Sequence, residues 1–123
     1  MPYLHQELTK QIIKAFYTVY NALGYGFLEK VYENALLYEL KLMNLNCDRQ
    51  FPIGVLYKGS KVGEYYADII VEKKIILELK ASGNICPEYE YQLINYLKAT
   101  EIEIGLLLNF GRNPEIRRKI FSS

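Results

Sequence analysis

The chain has no marked excess of either charge: 15 Lys and Arg stand against 14 Asp and Glu, a formal net charge of +1. A surface that coats nucleic acid without regard to sequence normally shows as a strong basic excess, so that class is disfavoured. A short catalytic contact is not. Cysteine is equally scarce. Cys47 and Cys86 form neither a metal-binding spacing nor a disulfide scaffold, and read as reduced, buried thiols of a cytosolic protein. No apolar run approaches transmembrane length. The start, Met1-Pro2-Tyr3-Leu4-His5-Gln6, lacks the basic region and apolar stretch of a signal peptide. The expectation is a cytoplasmic protein with no membrane partner. Repeats, linkers and low-complexity stretches are also missing, so residues 1–123 read as a single domain, large enough to bury a core without disulfides or metals.

What is present is an ordinary globular composition, 50% hydrophobic and 24% charged, with one bias: 12 tyrosines against five phenylalanines. Tyrosine suits half-buried surfaces and can contact bases or sugars, although amphipathic packing accounts for most of them.

Apolar spacing predicts a helix over residues 4–23, with Leu8, Ile12, Ala15, Phe16, Val19 and Leu23 on one face, stopped by Gly24-Tyr25-Gly26. A second helix is expected over 28–43, with Val31, Tyr32, Ala35, Leu36, Tyr38, Leu42 and Met43 supplying apolar surface and Asn44-Leu45-Asn46 ending it. The period then changes. Residues 51–57 read as a strand, with Pro52 marking its start or a sheet edge. Strands over 62–71 and 75–81 form a hairpin around Glu72-Lys73-Lys74. Pro87 opens a helix to about residue 100. Ile104 to Phe110 is a continuous apolar run, hence a strand buried on both faces. The tail, 116–121, is favoured as an edge strand over a short helix. The order is α-α-β-β-β-α-β-(β).

The hairpin carries the chemistry. Alternation gives one face to Ala67, Ile69, Val71, Ile75, Leu77 and Leu79, and the other to Tyr66, Asp68, Ile70, Glu72, Lys74, Ile76, Glu78 and Lys80. Keeping the apolar face intact requires a register centred on Lys73, because a slip of one residue would pair Ile69 with Glu78. That register sets Asp68 opposite Glu78, with Lys80 next along. Opposed residues have Cβ atoms roughly 5 Å apart, where like charges destabilise. Two carboxylates so placed share a proton or hold a cation, and hard cations such as Mg²⁺ use one or two carboxylates together with water and phosphate oxygens. Lys80 is placed to orient or deprotonate an attacking water, or to neutralise charge on a phosphate. The plainer alternative is a solvated face on which Lys80 pairs with Glu78 and Asp68.

Two helices add polar groups that need partners. Glu29 shares a face with Tyr32, Glu33 and Leu36, and Gln92 lies on a stripe with Tyr89, Leu93 and Tyr96. One site would satisfy both. Separately, Glu29 is also explained as a first-turn acid favoured by the helix dipole, and Gln92 as a hydrogen-bonded core amide.

Asp68 followed by Glu78-Leu79-Lys80 on adjacent strands resembles the PD-(D/E)XK nuclease motif, and Gly26-Phe27-Leu28-Glu29-Lys30-Val31-Tyr32 resembles the signature of the GxxExxY family within that superfamily. The similarity runs through nearly the whole chain, including Gly63-Glu64-Tyr65, Gln92 to Leu97 and Leu108-Asn109-Phe110-Gly111. Position 67 departs from it, with Ala where the nominal motif has proline. The resemblance implies an α/β restriction-endonuclease-like fold, a central mixed sheet flanked by helices. It implies Mg²⁺ or Mn²⁺ held by Glu29, Asp68, Glu78 and the Leu79 carbonyl, with Lys80 positioning the water. Gln92 and Tyr96 resemble the Q-x-x-x-Y motif of exonuclease-like relatives, bordering the active site, and Tyr96, Tyr32 and Lys30 would contact substrate. The implied function is hydrolysis of nucleic-acid phosphodiesters, in DNA ahead of RNA, leaving a 5′-phosphate. A homodimer is needed if both strands of a duplex are cut. The alternative is a non-catalytic nucleic-acid-binding or interaction module that keeps the fold.

Overall fold

The computed structural model describes residues 4–122. The elements follow the expected order: α1 (Gln6–Leu23), α2 (Glu29–Leu42), β1 (Cys47–Tyr57), β2 (Ser60–Val71), β3 (Ile75–Lys80), α3 (Pro87–Lys98), β4 (Ile104–Asn109) and β5 (Glu115–Ile120). The five strands form one mixed sheet in the order β1-β2-β3-β4-β5. Neighbours are antiparallel except β3 and β4, which are parallel. A parallel pair needs a crossover, and α3 is that crossover.

Helices cover both faces. Phe16 of α1 and Tyr32, Leu36 and Leu40 of α2 pack with Ile69, Val71, Leu77, Leu79, Leu106 and Phe110. Across the sheet, Leu93, Tyr96 and Leu97 of α3 pack with Ile53, Ala67, Ile76 and Leu107. The centre of the sheet is therefore buried on both sides, and all six residues of β4 are buried, as its unbroken apolar run requires. At Gly105 a Cβ would stand 2.6 Å from a Leu93 methyl, so the absence of a side chain there lets α3 approach β4.

The first strand begins four residues earlier than its apolar run, at Cys47, because residues 47–49 are held by ladder pairing to β2 rather than by burial. It is an edge strand, which accommodates Pro52 within it. The tail is the other edge strand. Two assignments of faces change. On α2, Tyr32, Leu36, Leu37 and Leu40 turn inward while Val31, Tyr38 and Leu42 are exposed; the apolar residues of that helix are too many for one stripe, and the buried arc excludes those three. On β2, Ala67 packs with the α3-side core rather than with Ile69 and Val71. The cause is a break in the β1–β2 ladder: pairing runs through Arg49–Ile69 and Phe51–Ala67 but omits Gln50 and Asp68 between them, and Gln50 adopts a left-handed φ of 52°.

Candidate active site

The β2–β3 register is the one demanded by the apolar face: Ile69 faces Leu77, Ile70 faces Ile76 and Val71 faces Ile75. Asp68 and Glu78 are the next opposed positions, and there the backbone ladder ends. Hydrogen bonding between the strands passes to the two carboxylates. The Asp68 backbone N–H donates to Glu78 Oε2 at 2.8 Å, and the Leu79 backbone N–H donates to Asp68 Oδ2 at 2.7 Å. Each acid thus caps the strand opposite. The two groups are fixed in place with one oxygen each engaged, which leaves Oδ1 and Oε1 for a cation. On its other side Asp68 faces the break at Gln50, so at this residue β2 is paired with neither neighbour; pairing with β1 resumes at Ala67, whereas pairing with β3 does not.

The environment penalises charge. Glu78 is 5% exposed. Burial, and then the adjacent Asp68 carboxylate, push its pKa from 4.5 to about 8 against the pull of the Asp68 N–H and Lys80. Burial likewise raises Asp68; the Leu79 N–H opposes this, while the charges of Glu33 and Glu29 add to it. These are two acids that a proton or a cation must neutralise. Lys80 leaves the same pleat half-buried, its Nζ 4.4 Å from the centroid of the Tyr89 ring on α3. Just beyond, Ser82 is clamped by the buried Asn109 side chain: the Ser82 N–H donates to Oδ1 and Nδ2 donates to the Ser82 carbonyl, both at 3.0 Å.

The donor set fits a hard cation. All the side-chain donors are oxygens, and their charges repel until something positive joins them. Among the described residues, no group of three or more His, Cys, Asp or Glu side chains could hold a metal. Further ligands would therefore come from backbone carbonyl, water and substrate oxygens, the pattern Mg²⁺ tolerates.

The remaining expected residues divide. Gln92 is half-buried and Tyr96 buried on α3, where Tyr96 packs with Ala67, the residue before Asp68; its hydroxyl is pushed up to about 12 by burial first and then by the Glu78 and Asp68 charges. Glu29 is the exposed first residue of α2, close enough for its charge to act on both acids. The buried acid of that helix is instead Glu33, gripped by Arg49 at 2.9 Å and approached by Gln50 and Lys30. Exposed Lys30 lies 3.5 Å from Glu33. Tyr32 is not available to substrate. It is fully buried, its ring stacks on Phe110 at 4.4 Å, its hydroxyl donates to the Gly24 carbonyl at 2.7 Å, and the Phe27 N–H donates back to it at 3.2 Å. Its work is to lace the α1–α2 loop. The Arg49–Glu33 pair joins elements distant in sequence and had no local signal; Asn109 had one, a polar side chain within the run 104–110 that was read as continuously apolar.

The chain belongs to the PD-(D/E)XK nuclease superfamily: the family model of that description matches residues 6–119. Among solved structures it is similar to the crystal structure of SSO0001, with a TM-score of 0.55 and 19% sequence identity over 76% of this chain. That likeness concerns the fold, and this chain spans 50% of the length of that one. No curated protein matches significantly. The α/β architecture, a five-stranded mixed sheet flanked by helices, is the restriction-endonuclease-like fold. Among the described residues, no helix is long and apolar enough to cross a membrane.

Proposed function

We propose that this chain is a divalent-cation-dependent deoxyribonuclease that hydrolyses phosphodiester bonds at Asp68, Glu78 and Lys80. The observation that carries this reading is the pair of buried acids at the point where β2 and β3 part, each anchored by a backbone N–H of the facing strand. A purely structural pair would sit poorly there, because burial and mutual repulsion both oppose its ionisation. Mg²⁺ or Mn²⁺, held by Asp68, Glu78 and the Leu79 carbonyl with Glu29 at the rim, would supply Lewis-acid stabilisation of the phosphate and lower the pKa of water.

The protein's own part is positioning. The two N–H donors hold the carboxylates without a search over rotamers, so the geometry is prepared before substrate arrives. Lys80 Nζ orients the attacking water and offsets charge on the non-bridging phosphate oxygens. Water oxygen bonds to phosphorus and the P–O3′ bond breaks. The water's proton passes to bulk solvent, O3′ takes a proton from solvent as it leaves, and the product carries a 5′-phosphate. Gln92 and Tyr96 line the substrate side. Gly26, Glu29 and Tyr32 support membership of the GxxExxY family; in this chain the glycine's φ of 109° and the tyrosine's hydroxyl shape the loop ahead of Glu29.

The test is cleavage of single-stranded, duplex and branched DNA, and of RNA, with Mg²⁺ or Mn²⁺. Cleavage that EDTA stops and that Asp68→Ala lowers at least a hundredfold is expected. Activity on none of these polymers, or activity indifferent to Asp68→Ala, overturns the reading. Metal-independent binding unchanged by Glu78→Gln would instead indicate a non-catalytic binding module.

A further inference from the structure

β1 and β2 outrun the rest of the sheet. They pair with each other as far as Tyr57–Ser60, whereas β3 pairs with β2 only over Ile69 to Val71. The resulting two-stranded arm and α3 enclose a groove of about 770 Å³, within the roughly 300–1,000 Å³ typical of small-ligand sites. Tyr65 forms part of the sheet wall, and Tyr91, Gln92, Asn95 and Tyr96 part of the helix wall. The Tyr65 and Tyr96 rings lie 5.7 Å apart, and Tyr65 and Tyr91 are 51% and 64% exposed. The groove's charged lining residues, Glu88 and Lys98, are of opposite sign. A surface shaped to grip phosphates would not be so neutral. Aromatic faces flanked by side-chain amides instead match a nucleobase, whose flat face stacks and whose edges accept and donate hydrogen bonds. Tyr96 lines this groove and packs in one cluster with Ala67, the residue before Asp68, so one wall of the groove adjoins the segment of β2 that carries the acid.

We infer that this groove holds an unpaired nucleobase of the substrate strand, stacked on Tyr65 and Tyr91, while the adjoining phosphate lies at Asp68 and Glu78. The substrate class is therefore single-stranded or locally unpaired nucleic acid, because bases inside a continuous duplex are already stacked and paired and have no free face to offer. This inference rests on the nuclease reading for the identity of the polymer but not for the existence of the binding site.

Binding is measured by fluorescence anisotropy on the intact chain in EDTA, which separates it from cleavage. The probes are a labelled oligothymidylate, an oligouridylate and a blunt hairpin duplex. Single strands of either sugar are expected to bind at least tenfold more tightly than the duplex. Tyr91→Ala and Tyr65→Ala should each weaken single-strand binding about tenfold, equivalent to about 1.4 kcal/mol, with thermal midpoints unchanged, and Tyr91→Phe should retain it. Because the chain has no tryptophan, Tyr91→Trp adds a single reporter whose emission a stacked base quenches, and single strands but not duplex should quench it. Equal affinity for duplex and single strand, or alanine variants that bind like the parent, overturns the inference while leaving Asp68-dependent cleavage standing. Tyr-dependent binding by a chain that cleaves no polymer with any metal supports the groove and removes the nuclease reading.

Discussion

At the residue scale, the decisive question for Asp68 and Glu78 is what neutralises them. Folded Glu78 keeps its proton to about pH 8, whereas an unfolded glutamate releases it near 4.5. Across that window the folded state binds more protons than the unfolded one, so without a divalent cation stability falls as pH rises from about 4.5 to about 8. Glu78→Gln removes the titrating group and keeps a hydrogen-bond acceptor for the Asp68 N–H. Melting curves in EDTA should therefore show the variant more stable than the parent at pH 8.5 and similar to it at pH 5, while its cleavage activity is lost. A parent whose midpoint rises through this pH range would contradict the assigned cause. Asp68 shifts in the same direction, so the two acids reinforce the trend. Glu33 shows the opposite solution to burying an acid: a guanidinium reaches it and satisfies its charge.

At the scale of elements, the site depends on how β3 leaves the sheet. After Lys80 the chain is pinned by the Asn109 clamp on Ser82, and Gly111 passes so close that a Cβ there would lie 2.1 Å from the Ser82 carbonyl oxygen. That oxygen is backbone and cannot swing aside. Gly111→Ala is expected to cost roughly 1–3 kcal/mol or more, the range for forced overpacking, and to lower cleavage by displacing Lys80. Gly63→Ala, where a Cβ meets open space, is the control and should change neither. Chemical denaturation of the two variants checks the difference. Tyr32 belongs to this scale as well. The reading of Gly26, Glu29 and Tyr32 as a functional signature mixes two jobs: Glu29 stands at the rim of the acids, and Tyr32 ties down the loop that presents it.

For the whole molecule, the proposed cation would link binding to folding. An ion that binds the folded pair and not the unfolded chain stabilises by about 2.7 kcal/mol at a hundredfold excess over its dissociation constant. Because that ion displaces protons, Mg²⁺ or Mn²⁺ should raise the melting midpoint more at pH 8 than at pH 6, and Asp68→Asn should abolish the rise at both. Differential scanning calorimetry with and without the ion checks this, and an equal rise in parent and Asp68→Asn would place the ion elsewhere.

Much of this arrangement follows from the chain's own pattern. The period of apolar residues determined the order of the elements from α1 to β4, whereas the tail stayed open between strand and helix until its pairing with β4 made it β5. The requirement that Ile69, Val71, Ile75, Leu77 and Leu79 share one face determined the register that opposes Asp68 to Glu78, because any slip would bury a charge in place of an aliphatic side chain. What alternation cannot express is where a ladder stops. The left-handed turn of Gln50 and the carboxylate caps at Asp68 and Glu78 depend on β1 and β3 approaching from segments far apart in sequence, and with them went the placement of Ala67. The inward face of α2 was decided by packing on the sheet, which chose Glu33 over Glu29 for burial and took Tyr32 into the core. The groove beside α3 is likewise a product of tertiary structure: each tyrosine is unremarkable in its own segment, and only the overhang of the β1–β2 arm brings Tyr65 across to Tyr96. Local periodicity is a property of neighbours in the chain, whereas burial, charge repulsion and a shared cavity are properties of neighbours in space.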